Sequence, residues 1–231
     1  MKTVLITGAT GGIGQAIVRA FKDYNVIIHY NKNGDMADKL LKEVNGIKLQ
    51  ADVRNMADVE NMFAIAREKY GKIDVLINNS GVQLIKMLAD TEPSEWQEVM
   101  DTDLTGVYNT IKCALGDMMY SGGKIINISS IWGRCGAACE AAYSAAKAGI
   151  IGLTKALAKE YSNINVNCIC PGVIKTPMND HLSKEEKEAL INEIPLKRFG
   201  EPEEVAELCL FLAEKGSYIT GQVIGIDGGM G

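Results

Sequence analysis

The stretch TGATGGIG, residues 7–14, lies between a short run of β-branched residues (2–7) and a helical pattern (11–22). Glycines at such a junction permit a tight turn and let backbone N–H groups at the helix start approach a phosphate. The spacing is Gly-x-x-x-Gly-x-Gly, which differs from the usual Gly-x-Gly-x-x-Gly dinucleotide fingerprint. No Gly-Lys-Ser/Thr follows, which excludes a nucleoside-triphosphate loop. The stretch predicts a strand–turn–helix unit that receives a pyrophosphate.

Outward from this stretch, apolar runs alternate with helical patterns along the whole chain. The runs predicted as further strands are residues 26–30, 46–50, 73–78, 124–129, 165–170 and 222–226. The patterns predicted as further helices are residues 35–44, 57–70, 94–120, 141–161, 183–194 and 202–213. Short apolar strands separated by helices are typical of a parallel sheet covered on both faces. The sequence therefore predicts an α/β fold: a doubly wound (Rossmann) seven-stranded parallel sheet in a single domain, residues 1–231.

Composition narrows the class of protein. The 231 residues contain 24 Lys and Arg against 29 Asp and Glu, a net charge of −5, which disfavours nucleic acid and anionic membranes as partners. No run is long enough for a membrane span, and the start MKTVLITGAT lacks the apolar core of a secretory signal. We therefore expect a cytoplasmic protein with reduced thiols. The six cysteines form no CxxC pair, so no metal site is expected and most are expected to be buried.

A second pattern joins Ser130, Tyr143 and Lys147. Tyr143 and Lys147 are four residues apart on a predicted helix and therefore share a face. A free tyrosine has a pKa of about 10, and a neighbouring ammonium is expected to lower it. Ser130, at the end of the fifth predicted strand, could hydrogen-bond a substrate oxygen. Taken alone, Tyr-x-x-x-Lys also fits an ordinary helix surface.

Taken together, these motifs resemble those of the short-chain dehydrogenase/reductase family. The resemblance runs nearly end to end, through residues 7–14, 52–53, 78–81, 130, 143–147, 171–176 and 221–229. The tail, with PLKRFG at 195–200 and YITGQ at 218–222, is most similar to the 3-oxoacyl-acyl-carrier-protein reductases. Many reductases of sugars, steroids and alcohols share this tail, so those substrates remain alternatives.

The resemblance implies a role for each matching residue. Ser130 would hold the substrate carbonyl, Tyr143 would pass a proton as hydride arrives from a nicotinamide, and Lys147 would bind the nicotinamide ribose; with Asp103 they form the catalytic set. Asp52 and Val53 would meet the adenine, and Asn79 would lie along the adenosine ribose. Pro171, Gly172, Val173 and Thr176 would bracket the nicotinamide amide. The implied cofactor-binding residues are Gly8, Thr10, Gly11, Gly12, Ile13, Gly14, Asn31, Lys32, Asp52, Val53, Asn79, Ser80, Gly81, Tyr143, Lys147, Pro171, Gly172, Val173 and Thr176.

Asp103 departs from the family pattern, which usually has asparagine there. That asparagine belongs to the catalytic tetrad and helps to hold a water on the proton path from the lysine. An ionised aspartate can only accept hydrogen bonds. If the backbone carbonyl of residue 103 holds the water, the relay survives; if the side-chain amide is needed, the relay is impaired. A working enzyme is expected, and a cofactor-sensing protein is the alternative. Ser80, where alanine is usual, is a smaller departure.

The end of the second predicted strand bears on the choice of cofactor. It carries no acid to hold a ribose 2′-hydroxyl, and Asp35 reads as a helix-start residue. Asn31 and Lys32 could instead meet a 2′-phosphate, so NADP(H) is expected rather than NAD(H). Gly11 stands where many NADP-dependent relatives carry a basic residue, which keeps NAD(H) open.

The sequence also indicates candidate partners of the protein. An acyl-carrier protein is acidic, so Lys197 and Arg198 are its candidate contacts, with a solvated helix end as the alternative. The irregular segment 172–181 leads into a charged helix and is expected to cover the carboxyl ends of the strands. The resemblance implies a homotetramer that uses the long helices near residues 104–120 and 141–161.

Overall fold

The computed structural model describes residues 1–179 and 182–231. Its strands are β1 (Thr3–Ile6), β2 (Asn25–Tyr30), β3 (Gly46–Gln50), β4 (Val75–Asn78), β5 (Gly123–Ile128), β6 (Ile164–Pro171) and β7 (Val223–Ile226). Its helices are α1 (Gly12–Ala20), α2 (Gly34–Leu41), α3 (Met56–Tyr70), α4 (Pro93–Met100), α5 (Gly106–Ser121), α6 (Trp132–Cys135), α7 (Ala141–Glu160), α8 (Lys184–Glu193) and α9 (Pro202–Glu214). The predicted elements are present, with ends that differ by a few residues.

The strands of the described residues form one seven-stranded parallel sheet in the order β3-β2-β1-β4-β5-β6-β7. The chain runs outward from β1 to β3 and then returns to place β4 on the other side of β1. This reversal opens a crevice outside the carboxyl ends of the strands, where such sheets bind ligands. The predicted doubly wound fold is confirmed.

Alternation along the strands supplies a core on each face of the sheet. Val4 and Ile6 point to the face covered by α1, α2 and α9, whereas Leu5 points to the face covered by α3, α5 and α7. These strand residues are completely buried, which agrees with a sheet covered on both sides. The rigid sheet therefore presents the loops at its carboxyl edge in fixed positions.

The predicted helix over residues 94–120 is present, but its middle is a π turn and not α-helix. A π turn, Asp101–Thr105, separates α4 from α5. A π turn contains one residue more per turn than an α-helix, and apolar spacing does not show a single inserted residue. The turn places Asp103 in the interior with 0% exposure. The short helix α6 was also not predicted from the sequence.

Three other expectations have mixed outcomes. Cys168, Cys170 and Cys209 are buried, but Cys135 and Cys139 are exposed, so the expectation that most cysteines are buried holds for only half of them. Within the described residues, no helix combines the length and apolar character needed to cross a bilayer. The segment expected as a flap is described up to residue 179; His181 lies outside the described residues. The single domain and the cytoplasmic location stay predictions.

Candidate active site

A cleft of about 910 Å³ opens at the carboxyl edge of the sheet. The loops after β1, β2, β3, β4, β5 and β6 all contribute to its lining, because parallel strands end at one edge. All the predicted site residues line this cleft except Gly14 and Asp103. Gly14 lies buried under the glycine loop, and Asp103 lies behind Lys147. The tertiary structure thus brings together residues that lie between positions 8 and 179 of the sequence.

The glycine loop forms a tight cradle. Gly8 has a φ of +59°, and its carbonyl accepts a hydrogen bond from Gly11 N–H at 3.1 Å. A Cβ added to Gly14 would collide with the Gly8 carbonyl and lie 2.8 Å from Ala9 Cα. Gly11 caps α1 without a side-chain hydrogen bond, so the first N–H groups of α1 are open to a ligand. This arrangement fits the pyrophosphate of a dinucleotide.

The segment after β6 reaches across this cradle. A Cβ added to Gly12 would lie 2.7 Å from Thr176 Cβ, so the Thr176 side chain lies directly against the glycine loop. Asn179 Nδ2 donates to Ile174 O at 2.7 Å and ties the segment to itself. As far as residue 179, the expected flap therefore covers the carboxyl ends of the strands.

The loops after β3 and β4 are also fixed by hydrogen bonds. Asp52 accepts from Arg54 Nη2 at 2.6 Å, and the Arg54 guanidinium lowers the pKa of the Asp52 carboxyl. Asn109 Nδ2 donates to Val53 O at 2.9 Å. Asn79 Nδ2 donates to Gly8 O at 3.0 Å. The predicted adenine and ribose contacts are therefore held against the glycine loop and α5.

Ser130, Tyr143 and Lys147 meet at the inner end of the cleft. Ser130 Oγ accepts from Trp132 N–H at 3.1 Å and forms a hydrogen bond with the Tyr143 phenol. Lys147 Nζ lies 5.4 Å from the centre of the Tyr143 ring and donates to Ile128 O at 3.3 Å. The alternative of an ordinary surface pair is wrong, because Lys147 is only 4% exposed.

Lys147 lowers the pKa of Tyr143, as expected, but the other contributions together raise it more. Burial raises the pKa of Tyr143 most, Lys147 lowers it, and the charges of Asp103 and Glu140 raise it further. The net direction is upward from the ordinary value. Desolvation and two carboxylates therefore outweigh one ammonium and the hydrogen bond with Ser130, both of which lower the pKa of Tyr143.

Asp103 and Lys147 form a buried ion pair. Asp103 Oδ2 lies 3.0 Å from Lys147 Nζ, and Asp103 Oδ1 accepts from Val82 N–H at 2.8 Å. Burial disfavours the charge of Lys147, but attraction to Asp103 and Tyr143 outweighs it and raises the pKa of the ammonium. At 3.0 Å the Asp103 carboxylate contacts the Lys147 ammonium directly and needs no bridging water.

His29 is a functional candidate that the sequence analysis missed. It is 1% exposed at the end of β2; its Nδ1 accepts from Gly8 N–H at 3.1 Å, and its Nε2 lies 3.1 Å from Ala51 O. The Gly8 contact requires Nδ1 without a proton, so Nε2–H donates to Ala51 O. Burial lowers the pKa of His29 from 6.5 to about 4, which keeps the ring neutral. The ring thus links the glycine loop to the loop that carries Asp52, a contact between segments that sequence spacing does not show.

Replacing His29 with phenylalanine should weaken cofactor binding about tenfold, because Gly8 N–H and Ala51 O lose their partner. Each unpaired buried group costs about 1–3 kcal/mol, so the midpoint of thermal unfolding should also fall. In the parent, stability should decrease as pH falls from 6.5 towards about 4, because the unfolded chain takes up the proton at the higher pH. That dependence should weaken in the variant.

Fluorescence titration with cofactor and thermal unfolding across this pH range are the measurements. Tyr30→Phe, on the same strand, is the matched control and should change neither property. A folded His29→Phe protein with parental cofactor affinity would contradict this role.

The outer end of the cleft carries the predicted cofactor-selecting residues. Asn31 and Lys32 are exposed and line the cleft, and Asp35 lies in the first turn of α2, as predicted. Lys197 and Arg198 lie in the connection between α8 and α9 rather than at a helix end. Arg198 Nη2 lies 2.7 Å from Glu204 Oε1, so its charge already has an exposed partner.

Comparisons with known proteins agree with this geometry. Residues 8–231 match the family model described as enoyl-(acyl carrier protein) reductase. The chain is 41% identical to the 3-oxoacyl-acyl-carrier-protein reductase FabG of Thermotoga maritima, across 99% of this chain and 97% of the relative. It is 40% identical to the enzyme of that name from Staphylococcus aureus, across 99% and 98%.

A crystal structure from Brucella melitensis, described as a short-chain dehydrogenase/reductase and glucose/ribitol dehydrogenase, extends the match to three dimensions. Its TM-score is 0.94 at 30% identity, covering 100% of this chain and 96% of that one. The relatives match over nearly their full length, and the fold match spans every element of the sheet. The chain therefore belongs to the short-chain dehydrogenase/reductase family of NAD(P)-dependent oxidoreductases.

Proposed function

We propose that the chain is an NADP(H)-dependent reductase of 3-oxoacyl thioesters. The observation that carries the proposal is the placement of Ser130, Tyr143 and Lys147 at the inner end of a cleft built for a dinucleotide. The two relatives at 40–41% identity, both named 3-oxoacyl-acyl-carrier-protein reductases, support the substrate class.

The mechanism divides the work between cofactor and protein. When bound, the nicotinamide supplies a hydride to the carbonyl carbon. Ser130 donates a hydrogen bond to the carbonyl oxygen, since its Oγ is already held by Trp132 N–H. Tyr143 transfers its phenolic proton to the oxygen that becomes the hydroxyl. Lys147 would hold a hydroxyl of the nicotinamide ribose, and its charge would stabilise the phenolate left on Tyr143.

Charge around the outer end of the cleft supports NADP(H). Three cations line the described part of the cleft: Lys147 is paired with Asp103, Arg54 with Asp52, and Lys32 has no ion pair there. A 2′-phosphate placed beside Asn31 would therefore take Lys32 as its cation. Neither Asn31 nor Lys32 is acidic, so no carboxylate at these two positions would repel the 2′-phosphate.

Replacing Lys32 with alanine should raise the KM for NADPH about tenfold and leave the KM for NADH unchanged. This loss corresponds to the lower end of the range for a hydrogen bond to a charged group, about 1.5 kcal/mol, because Lys32 is exposed to solvent. Lys39→Ala, an exposed lysine on α2, is the matched control. Equal effects on both cofactors, or none, would contradict a 2′-phosphate contact at Lys32.

The proposed acyl substrate implies an acyl-carrier protein as a candidate partner. An acyl-carrier protein approaching the flap would meet Lys197, whose Nζ donates to Asn192 O at 2.6 Å, and Arg198 once it leaves Glu204. Exposed ion pairs contribute little stability and exchange readily, so Arg198 can change partner.

A second candidate is a polar substrate such as a sugar. It is favoured by Gln83, which lines the cleft and donates a hydrogen bond to Glu140 at 3.3 Å.

The decisive assay measures NADPH and NADH oxidation with an acetoacetyl thioester, on carrier protein and on a small thiol. We expect NADPH oxidation with both, faster on the carrier. Turnover only with sugars, steroids or small ketones would support the second candidate. Tight cofactor binding without turnover on any carbonyl would indicate a cofactor-sensing protein.

We also propose a homotetramer built on the outer faces of α5 and α7. On α5, Tyr108 and Met119 are about half exposed and Tyr120 is 89% exposed, which leaves large apolar surface for a second copy. Light scattering on the purified protein tests this assembly.

A further inference from the structure

Asp103 faces two hydrogen-bond donors from different parts of the chain. Its Oδ1 accepts from Val82 N–H at 2.8 Å, and its Oδ2 lies 3.0 Å from Lys147 Nζ. An ionised carboxylate accepts at both oxygens, whereas an amide has one acceptor and one donor. An asparagine here would turn its NH₂ group towards Val82 N–H or towards the ammonium. The local geometry therefore fits the carboxylate of this chain.

The backbone at Gly81 closely approaches the pair. A Cβ added to Gly81 would lie 2.7 Å from Asp103 Oδ2 and 3.2 Å from Lys147 Nζ, so a larger residue here would displace the ends of both side chains. Lys147 Nζ also donates to Ile128 O at 3.3 Å. Asp103 Oδ2 makes no well-directed hydrogen bond within the described residues, so attraction between charges dominates its contact with Lys147. Such attraction is strong where water is excluded.

The charges that act on Tyr143 come from three elements. Lys147 on α7 attracts the phenolate, and Asp103 on the π turn and Glu140 just before α7 repel it. A hydrogen bond with Cys170, followed by burial, raises the pKa of Cys168 on β6, so its thiol stays neutral beside Lys147. Asp103 therefore offsets the one cation that would stabilise the phenolate.

We propose that Asp103 is a positioning residue whose buried ion pair holds Lys147 in place and keeps Tyr143 in its phenol form, which sets this site for carbonyl reduction over a wide pH range. The proposal rests on the proposed function, because it takes Tyr143 as the proton donor. Reduction requires the phenol, which gives its proton to the new hydroxyl. Oxidation of an alcohol requires the phenolate to accept that proton, so the reverse reaction is expected to need alkaline pH.

The test compares the parent with Asp103→Asn and with Asp101→Asn, a matched control. Asp101 lies on the same π turn but bonds to Gln97 Nε2 at 2.8 Å. Ionisation of Tyr143 is read without substrate, from the tyrosinate absorbance of each protein minus that of the same protein carrying Tyr143→Phe. The pH profile of kcat/KM for reduction is measured in parallel.

In Asp103→Asn the midpoint of Tyr143 ionisation should fall by about one pH unit or more. The alkaline limb of the reduction profile should move by the same amount, and the KM for cofactor should rise severalfold because the segment at Val82 loses its anchor. Asp101→Asn should leave all three unchanged. Asp103→Ser, smaller and neutral, should behave like Asp103→Asn and serves if that variant does not fold.

An unmoved midpoint in either folded Asp103 variant would overturn the proposal. So would a parent protein in which Tyr143 ionises well below its ordinary pKa of about 10. The expected shift in absorbance together with no turnover on any carbonyl would contradict the proposed function and leave the ion pair's role standing.

Discussion

Replacing Tyr143 with phenylalanine should lower kcat by about 10²–10⁴-fold, the usual contribution of a positioned general acid. The phenyl ring keeps its place on α7, and Lys147 Nζ stays near it, since that 5.4 Å contact involves the ring and not the hydroxyl. Cofactor binding should therefore hardly change. Ser130 Oγ remains held by Trp132 N–H, so the site keeps its shape and loses only the proton.

Steady-state oxidation of NADPH and a cofactor titration measure the two halves of this prediction. Tyr218→Phe, at a fully exposed tyrosine outside the cleft, is the control and should retain full activity. Parental turnover in Tyr143→Phe would remove Tyr143 from the mechanism, and a large loss of cofactor affinity would give it a binding role instead.

Replacing Lys147 with methionine should remove turnover and also destabilise the fold by about 3–5 kcal/mol. Methionine fills the space of the lysine stem, but it leaves the Asp103 carboxylate buried without its counter-charge. For a chain of this size each kcal/mol lowers the unfolding temperature by about 2–4 °C. Thermal unfolding and a kinetic assay on the same preparation measure both effects.

A second substitution separates the two effects. In Lys147→Met with Asp103→Asn the buried charge is gone, and the single acceptor of asparagine can serve Val82 N–H because no ammonium competes for it. The double variant should recover most of the lost stability but none of the activity. Equal instability of the single and double variants would show that the cost comes from packing and not from an unpaired charge.

Much of the fold and of the candidate site could be predicted from sequence. The glycines of residues 7–14 and the short β-branched runs act locally, and local preferences survive in the folded chain. Parallel strands then bring their carboxyl ends to one edge, which is why residues as far apart as Asn31, Asp52, Ser130 and Thr176 line one cleft. The loops that form most of the cleft follow from topology once the strand order is known.

The remaining features could not be predicted from the sequence, because they depend on contacts between segments. The π turn adds one residue to a helical pattern that otherwise looks continuous. His29 acquires its role only when Gly8 and Ala51 close over it. The cysteines likewise divide according to their place in the fold, which their spacing does not reveal. Cys168 and Cys170 are buried on β6 within the sheet, and Cys209 is buried on α9, which covers it, whereas Cys135 and Cys139 are exposed.

The sequence by itself determined the doubly wound sheet and the glycine cradle, because these follow from local backbone preferences, and its resemblance to a known family pointed to Ser130, Tyr143 and Lys147. Only the tertiary structure decided what surrounds them. It placed Asp103 beside Lys147 with both side chains nearly inaccessible to water. It also reversed the expected direction of the Tyr143 pKa. The physical reason is that charge interactions and desolvation depend on distance and burial in space, and segments remote in sequence supply both.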